Sequence, residues 1–209
     1  MPDQSVEFAS LLCSRLCHDL MSPVGALGNG LELLADETDE DMRARCMELV
    51  ADSARASADK LKFFRLAFGV AGGSTQEMAS GEVRAALEGL MRGNKRVELG
   101  WLVEQPSLPR CPAKLLLNLG LLALDTLVRG GRLDVGVEGS EVVVRAEGPR
   151  LALDPEIRAV LAGDAGAETP TARTSAAWLV RRLTEEAGGT LMLADGEPGV
   201  LLLAATLPA

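Results

Sequence analysis

The chain contains one histidine, His18, within the stretch Arg15-Leu16-Cys17-His18-Asp19-Leu20-Met21-Ser22-Pro23. Imidazole changes charge near neutral pH, and as a neutral base it offers a nucleophilic ring nitrogen. Asp19 follows directly, and a neighbouring carboxylate favours the charged ring. Cys13 and Cys17 stand one helical turn apart beside it, and thiolate with imidazole would suit zinc. Cys17 and His18, however, are adjacent on a helix and point about 100° apart. No close Cys or His pair completes four ligands. The cysteines therefore read as buried free thiols, and no metal site is expected.

The element that must hold His18 is a long amphipathic helix. Leu12, Leu16, Leu20, Val24, Leu27, Leu31 and Leu34 recur at three- and four-residue steps, the pattern of one apolar face. At about 3.6 residues per turn, His18 projects from the opposite side. Its angular neighbours are Ser14, Arg15, Ser22, Gly25 and Asn29, with Leu11 and Met21 nearby. Most are small or polar, so another protein can approach the imidazole closely. A lone histidine on a helix is ordinarily just a surface side chain, but here an irregularity falls one turn beyond it. Pro23 has no N–H, so the Asp19 carbonyl loses its intrahelical partner and the helix tends to bend. Local rules tend to be broken near functional sites.

The first helix is expected over residues 4–35 and a second over 39–68, with Thr38 and Asp41 as a capping-box-like start for the latter. Together they make an antiparallel hairpin. A hairpin cannot bury an apolar stripe on each helix by itself, so two copies should pair as a dimeric four-helix bundle. Residues 69–74 read as a linker, dividing the chain into 1–72 and 76–209. The second part is expected to comprise a helix over 76–92, a strand over 97–103, a loop over 106–112 and an apolar helix over 113–128. Strands over 132–138 and 141–147 are joined at Gly139-Ser140 as a hairpin. A short helix over 155–161, a polar loop over 163–171, a helix over 174–187 and two last strands, 190–194 and 200–207, follow. The fold class is α+β, with helices on one face of a mixed sheet.

Composition narrows the partners. A net charge of −9 argues against a nucleic-acid binder, which would carry a basic patch. No apolar run reaches the length of a membrane span, and the acidic first ten residues lack the basic start of a signal peptide. A cytoplasmic protein is expected. Four cysteines in 209 residues do not form a disulfide framework.

The order of elements resembles the core of a sensor histidine kinase: a phosphoacceptor hairpin, then an ATP-binding α/β sandwich. Asn118-Leu119-Gly120-Leu121-Leu122-Ala123-Leu124-Asp125, running to Gly130-Gly131-Arg132, is similar to the kinase asparagine box. Val144-Arg145-Ala146-Glu147-Gly148-Pro149-Arg150 is similar to the adenine-contacting box. The departures are telling. Leu122 stands where a second asparagine would hold Mg²⁺ and phosphates, Ala146 where an aspartate would meet the adenine amine, and Arg150 where a glycine would admit the nucleotide. Ala172-Arg173-Thr174-Ser175-Ala176 replaces the glycine-rich lid. Each change removes a polar partner or a close backbone approach, so the sandwich reads as a degenerate ATPase-like domain.

These traits together resemble the ChpT-type bacterial histidine phosphotransferases. The resemblance runs through Leu16-Cys17-His18-Asp19…Ser22-Pro23 and Ser53-Ala54-Arg55…Leu61…Phe63…Arg65…Ala67-Phe68-Gly69. It implies a homodimer in which His18 is phosphorylated by one response-regulator receiver domain, that of a hybrid kinase upstream, and passes the group to another. The receiver would bring the Mg²⁺, and this chain would bind no cofactor. Asp19 would tune the ring or be a solvated acid. Arg15 would steady phosphate or be an ordinary surface arginine. Leu11, Ser14, Ser22, Gly25 and Asn29 would form the landing surface, Gly25 being either cleared for docking or a point of close helix packing. Two other readings remain: an ATP-dependent kinase core, which needs the missing boxes, and a non-catalytic dimeric scaffold.

Overall fold

The computed structural model describes residues 4–69, 77–93, 96–164 and 169–208. Helices α1 (Gln4–Asp36) and α2 (Glu40–Ala67) form the expected hairpin. α1 runs unbroken through Pro23. The α2 start differs from expectation: Asp39, not Thr38, is the cap, accepting from the Met42 N–H at 2.9 Å. Glu37 takes the N–H groups of Thr38 and Asp39, so the acidic turn satisfies its own donors. The two helices lie close together at Gly30, where a β-carbon would lie 2.7 Å from Val50 Cγ2. The linker expected over 69–74 lies, beyond Gly69, outside the described residues, as does the middle of the polar loop over 163–171.

The remaining elements are β1 (Glu77–Ala79), α3 (Ser80–Met91), β2 (Val97–Trp101), β3 (Ser107–Pro109), α4 (Arg110–Thr126), β4 (Gly131–Glu138), β5 (Glu141–Glu147), α5 (Pro155–Ala162), α6 (Ser175–Glu186), β6 (Thr190–Asp195) and β7 (Val200–Thr206). Five strands form one mixed sheet in the order β2-β4-β5-β7-β6, parallel only between β2 and β4. Two expectations are corrected. The helix expected over 76–92 opens with β1, and the loop over 106–112 contains β3 and the start of α4. β1 and β3 pair antiparallel, and three-residue strands are too short to show an alternation. Pro112 fits the first turn of α4 because N–H groups there have no helical partner.

Alternation sets the sheet's inner face. Val142, Val144 and Ala146 of β5 and Leu201, Leu203 and Ala205 of β7 are buried, and α4 lies over these strands. Gly130 and Gly131 take positive φ between α4 and β4, and a β-carbon at Gly131 would fall 2.1 Å from the Glu147 carbonyl oxygen. α4 is the centre of the molecule. Leu115, Leu116, Leu117, Leu119 and Leu122 are all buried, in one cluster with Phe63, Phe64 and Leu66 from the end of α2. The hairpin is thus rooted in the sandwich at one end, while His18 stands farther up α1. Among the described residues no helix is long and apolar enough to cross a membrane.

Candidate functional site

His18 is among the most exposed side chains of the hairpin, with 82% of its surface open. Its Nδ1 lies 3.1 Å from Asp19 Oδ1. The other Asp19 oxygen, Oδ2, accepts from Arg15 Nε at 2.7 Å. Pro23 is why the backbone here needs outside help. The Asp19 carbonyl it deprives of a helical donor is met by the Lys60 ammonium of α2, which donates at 2.6 Å.

Arg15 is not an ordinary surface arginine, because only 12% of its side chain is exposed. Its Nη2 donates to Asp125 Oδ2 at 3.0 Å and its Nη1 to the Arg173 carbonyl at 3.3 Å, so one guanidinium joins α1 to the end of α4 and to the loop before α6. Burial alone would lower its pKa; hydrogen bonds and charge from Asp19 and Asp125 outweigh this and raise it. Asp125 keeps 49% of its side chain open. Desolvation within the cleft nonetheless pushes its pKa above the usual aspartate range, against the pull of Arg15.

These groups line a cleft of about 550 Å³ between hairpin and sandwich, whose wall includes Ser14, His18, Leu122, Thr126, Asp154 and Arg173. Arg173 pairs with Asp154, and Asp154 caps α5 through the Glu156 N–H. The loop before α6 is pinned by contacts between Thr171 and Thr174. Ser22, Gly25 and Asn29 are exposed along α1, Ser14 is exposed at the cleft, and Leu11 is half-buried. A β-carbon on Gly25 would meet nothing within 4 Å, so close packing within this chain does not account for that glycine.

The thiols correct an expectation. Cys46 is buried, but Cys13 and Cys17 are exposed, because each falls one residue past a stripe leucine and so about 100° off the covered face. Among the described residues no group of three or more His, Cys, Asp or Glu side chains is arranged to hold a metal.

At the positions compared above with the kinase nucleotide boxes, Leu122 is buried at the cleft wall, Ala146 is buried in the core, and Arg150 is exposed. Asn118 is wholly buried, its amide donating to the carbonyls of Ala67 at 3.2 Å and Lys114 at 2.8 Å. That side chain ties α4 to the root of the hairpin. Sequence reasoning missed Lys60, Asp125, Asp154 and Arg173 as parts of the site. Only the orphaned Asp19 carbonyl, legible from Pro23, signalled that a donor was needed.

Fold and site define a class: a histidine-bearing helical hairpin joined to an α/β sandwich. A family model described as the histidine phosphotransferase C-terminal domain matches residues 80–199. Protein phosphotransferase ChpT of Brucella abortus (strain 2308) is 36% identical over 189 residues, 88% of each chain. The solved structure of a bacterial phosphotransferase superposes with a TM-score of 0.84 at 32% identity, covering 98% of both chains. The chain belongs to the histidine phosphotransferase family, and its role is phosphotransfer in two-component signalling.

Proposed function

We propose that this chain relays phosphoryl groups between response-regulator receiver domains through His18, without ATP, receiving them from the receiver of a hybrid histidine kinase. The observation that carries this reading is the open imidazole held at Nδ1 by Asp19. A carboxylate only accepts, so Nδ1 bears the proton and the Nε2 lone pair is left for chemistry. That pair attacks the phosphorus of the receiver's aspartyl phosphate. The P–O bond breaks and its electrons return to the receiver carboxylate. The phosphorylated ring keeps its Nδ1 proton and carries a positive charge beside Asp19. Reversal of these steps loads a second receiver. Mg²⁺ would arrive with the receiver.

Ser14, Ser22, Gly25 and Asn29, with Leu11, would form the landing surface. Met21, Val24, Leu31, Leu33, Met42, Met47, Leu49 and Leu61 leave much apolar hairpin surface in water, which supports pairing of two chains as a four-helix bundle. The nucleotide-free part of the proposal rests on Leu122, Ala146 and the turned Asn118. Receivers are cytoplasmic partners, and so would be this chain. The test is incubation with a phosphorylated receiver: wild type should gain acid-labile, base-stable phosphate and His18→Gln none. Labelling from ATP alone would instead favour a kinase core, and transfer supported by His18→Gln would favour a scaffold.

A further inference from the structure

A carboxylate on a helix surface does not ordinarily hold one position. An isolated Arg15–Asp19 pair at i, i+4 is worth about 0.3–0.5 kcal/mol, too little to fix one rotamer of Asp19 against water. The geometry supplies what the pair lacks. Asp125 Oδ2, at the far end of α4, accepts from Arg15 Nη2 at 3.0 Å, while Arg15 Nε stays on Asp19 Oδ2 at 2.7 Å. The guanidinium is planar and rigid, so two carboxylates on its fork are held in fixed relation. The Arg173 carbonyl takes Nη1 at 3.3 Å and closes the third direction. Asp19 Oδ1 is then presented to His18 Nδ1 at 3.1 Å.

We infer that Asp125 is a positioning residue for the transfer: acting through Arg15 and Asp19, it selects the Nδ1–H tautomer of His18 and leaves Nε2 as the nucleophile. The inference rests on the proposed phosphoacceptor role of His18. It gives the degenerate sandwich a part in the chemistry, because the anchor of the chain of contacts lies on α4 and on the loop before α6, not on the hairpin. The loop side is itself fixed, through the Arg173–Asp154 pair and the Thr171–Thr174 contacts. Without the anchor, Arg15 is an ordinary long cation on a helix surface, and the ring reverts to the Nε2–H form that a free neutral histidine prefers, which blocks the nitrogen that attacks.

The test exploits the fact that the chain has one histidine, so full-length protein labelled with ¹⁵N-histidine gives a single imidazole in long-range ¹H–¹⁵N spectra. At mildly alkaline pH, wild type should show Nδ1 protonated and Nε2 bare. Asp125→Asn should move the population toward Nε2–H and slow transfer from a phosphorylated receiver by roughly tenfold, as expected when a reacting group is mispositioned. Asp125→Glu, which restores the charged acceptor, should recover both in part. Arg15→Lys provides a second reading if Asp125→Asn fails to fold. Its single nitrogen cannot serve both carboxylates, so it should show the same tautomer shift with charge conserved. A wild-type tautomer in either Asp125→Asn or Arg15→Lys overturns the inference. The phosphoacceptor reading fails separately, by His18→Gln taking up phosphate.

Discussion

The Lys60 ammonium donates to the Asp19 carbonyl at 2.6 Å, filling the bond that Pro23 removes from α1. A helix defect and a lysine 37 positions away in sequence from that proline are thus two halves of one contact. It is made by the backbone of Asp19, the residue that follows His18.

Lys60→Met should therefore cost about 1–3 kcal/mol, the penalty for leaving a part-buried carbonyl unpaired. Pro23→Ala returns an N–H to that carbonyl, so the double variant Lys60→Met/Pro23→Ala should lose clearly less than Lys60→Met alone. Urea unfolding of the three proteins measures the coupling. Strict additivity would mean that the two residues do not share a partner.

The long periodic helices, the Gly139-Ser140 hairpin and the mixed sheet were legible because their signals are local: a leucine every three or four residues, or alternating valines. β1 and β3 were not, since each is three residues long and its pairing is set by α3 and α4 around it. The site was half legible. His18, Asp19 and Pro23 announce themselves within six residues, whereas Asp125 and Lys60 are joined to them only by the fold. Arg15 was visible as a cation near the histidine, but its burial depends on α4 and the loop before α6, which no local pattern encodes. Cys13 and Cys17 misled because cysteine is usually buried, while the hairpin leaves that face of α1 open.

Gly25 and Gly30 make opposite predictions. Gly25→Ala should stabilise the protein by about 0.5–1 kcal/mol, because the helix gains a better former and the new methyl meets nothing. Its transfer from a receiver should slow if that spot is a landing surface. Gly30→Ala should show little or no such gain, since its methyl would press on Val50. Thermal melts and transfer rates on the two variants separate stability from docking.

Rebuilding the nucleotide positions should fail. Ala146→Asp places a charged group in the packed core, at a cost of about 1–3 kcal/mol, and Leu122→Asn puts an amide on the buried wall of the cleft. The Asn118 amide would still be spent on Ala67 and Lys114. The double variant is expected to lose stability and to show no heat of binding with Mg²⁺-ATP by calorimetry. Binding by that variant would mean that Asn118 turns readily toward the cleft.

The raised pKa of Asp125 has a sign that opposes intuition about ion pairs. Arg15 and Asp19 of α1, Lys60 of α2, and Asp154 and Arg173 across the cleft surround it, and burial outweighs the cations. Just above the ordinary aspartate pKa the folded chain binds more protons at this site than the unfolded chain. The stability contributed there is full below that value and is lost as pH rises through the folded pKa. The stability of wild type relative to Asp125→Asn should therefore fall from acid toward neutral pH in urea titrations. A relative stability that grows with pH would show that Arg15 dominates.

The proposed passage of phosphate through His18 between two partners is tested by a single-turnover chase in which a ³²P-labelled receiver is mixed with this chain and a second, unlabelled receiver, and all three are followed in time. Label should appear on this chain and then on the second receiver, with His18→Gln stopping both. Label reaching the second receiver at an unchanged rate with His18→Gln, or never appearing on the wild-type chain, would contradict it.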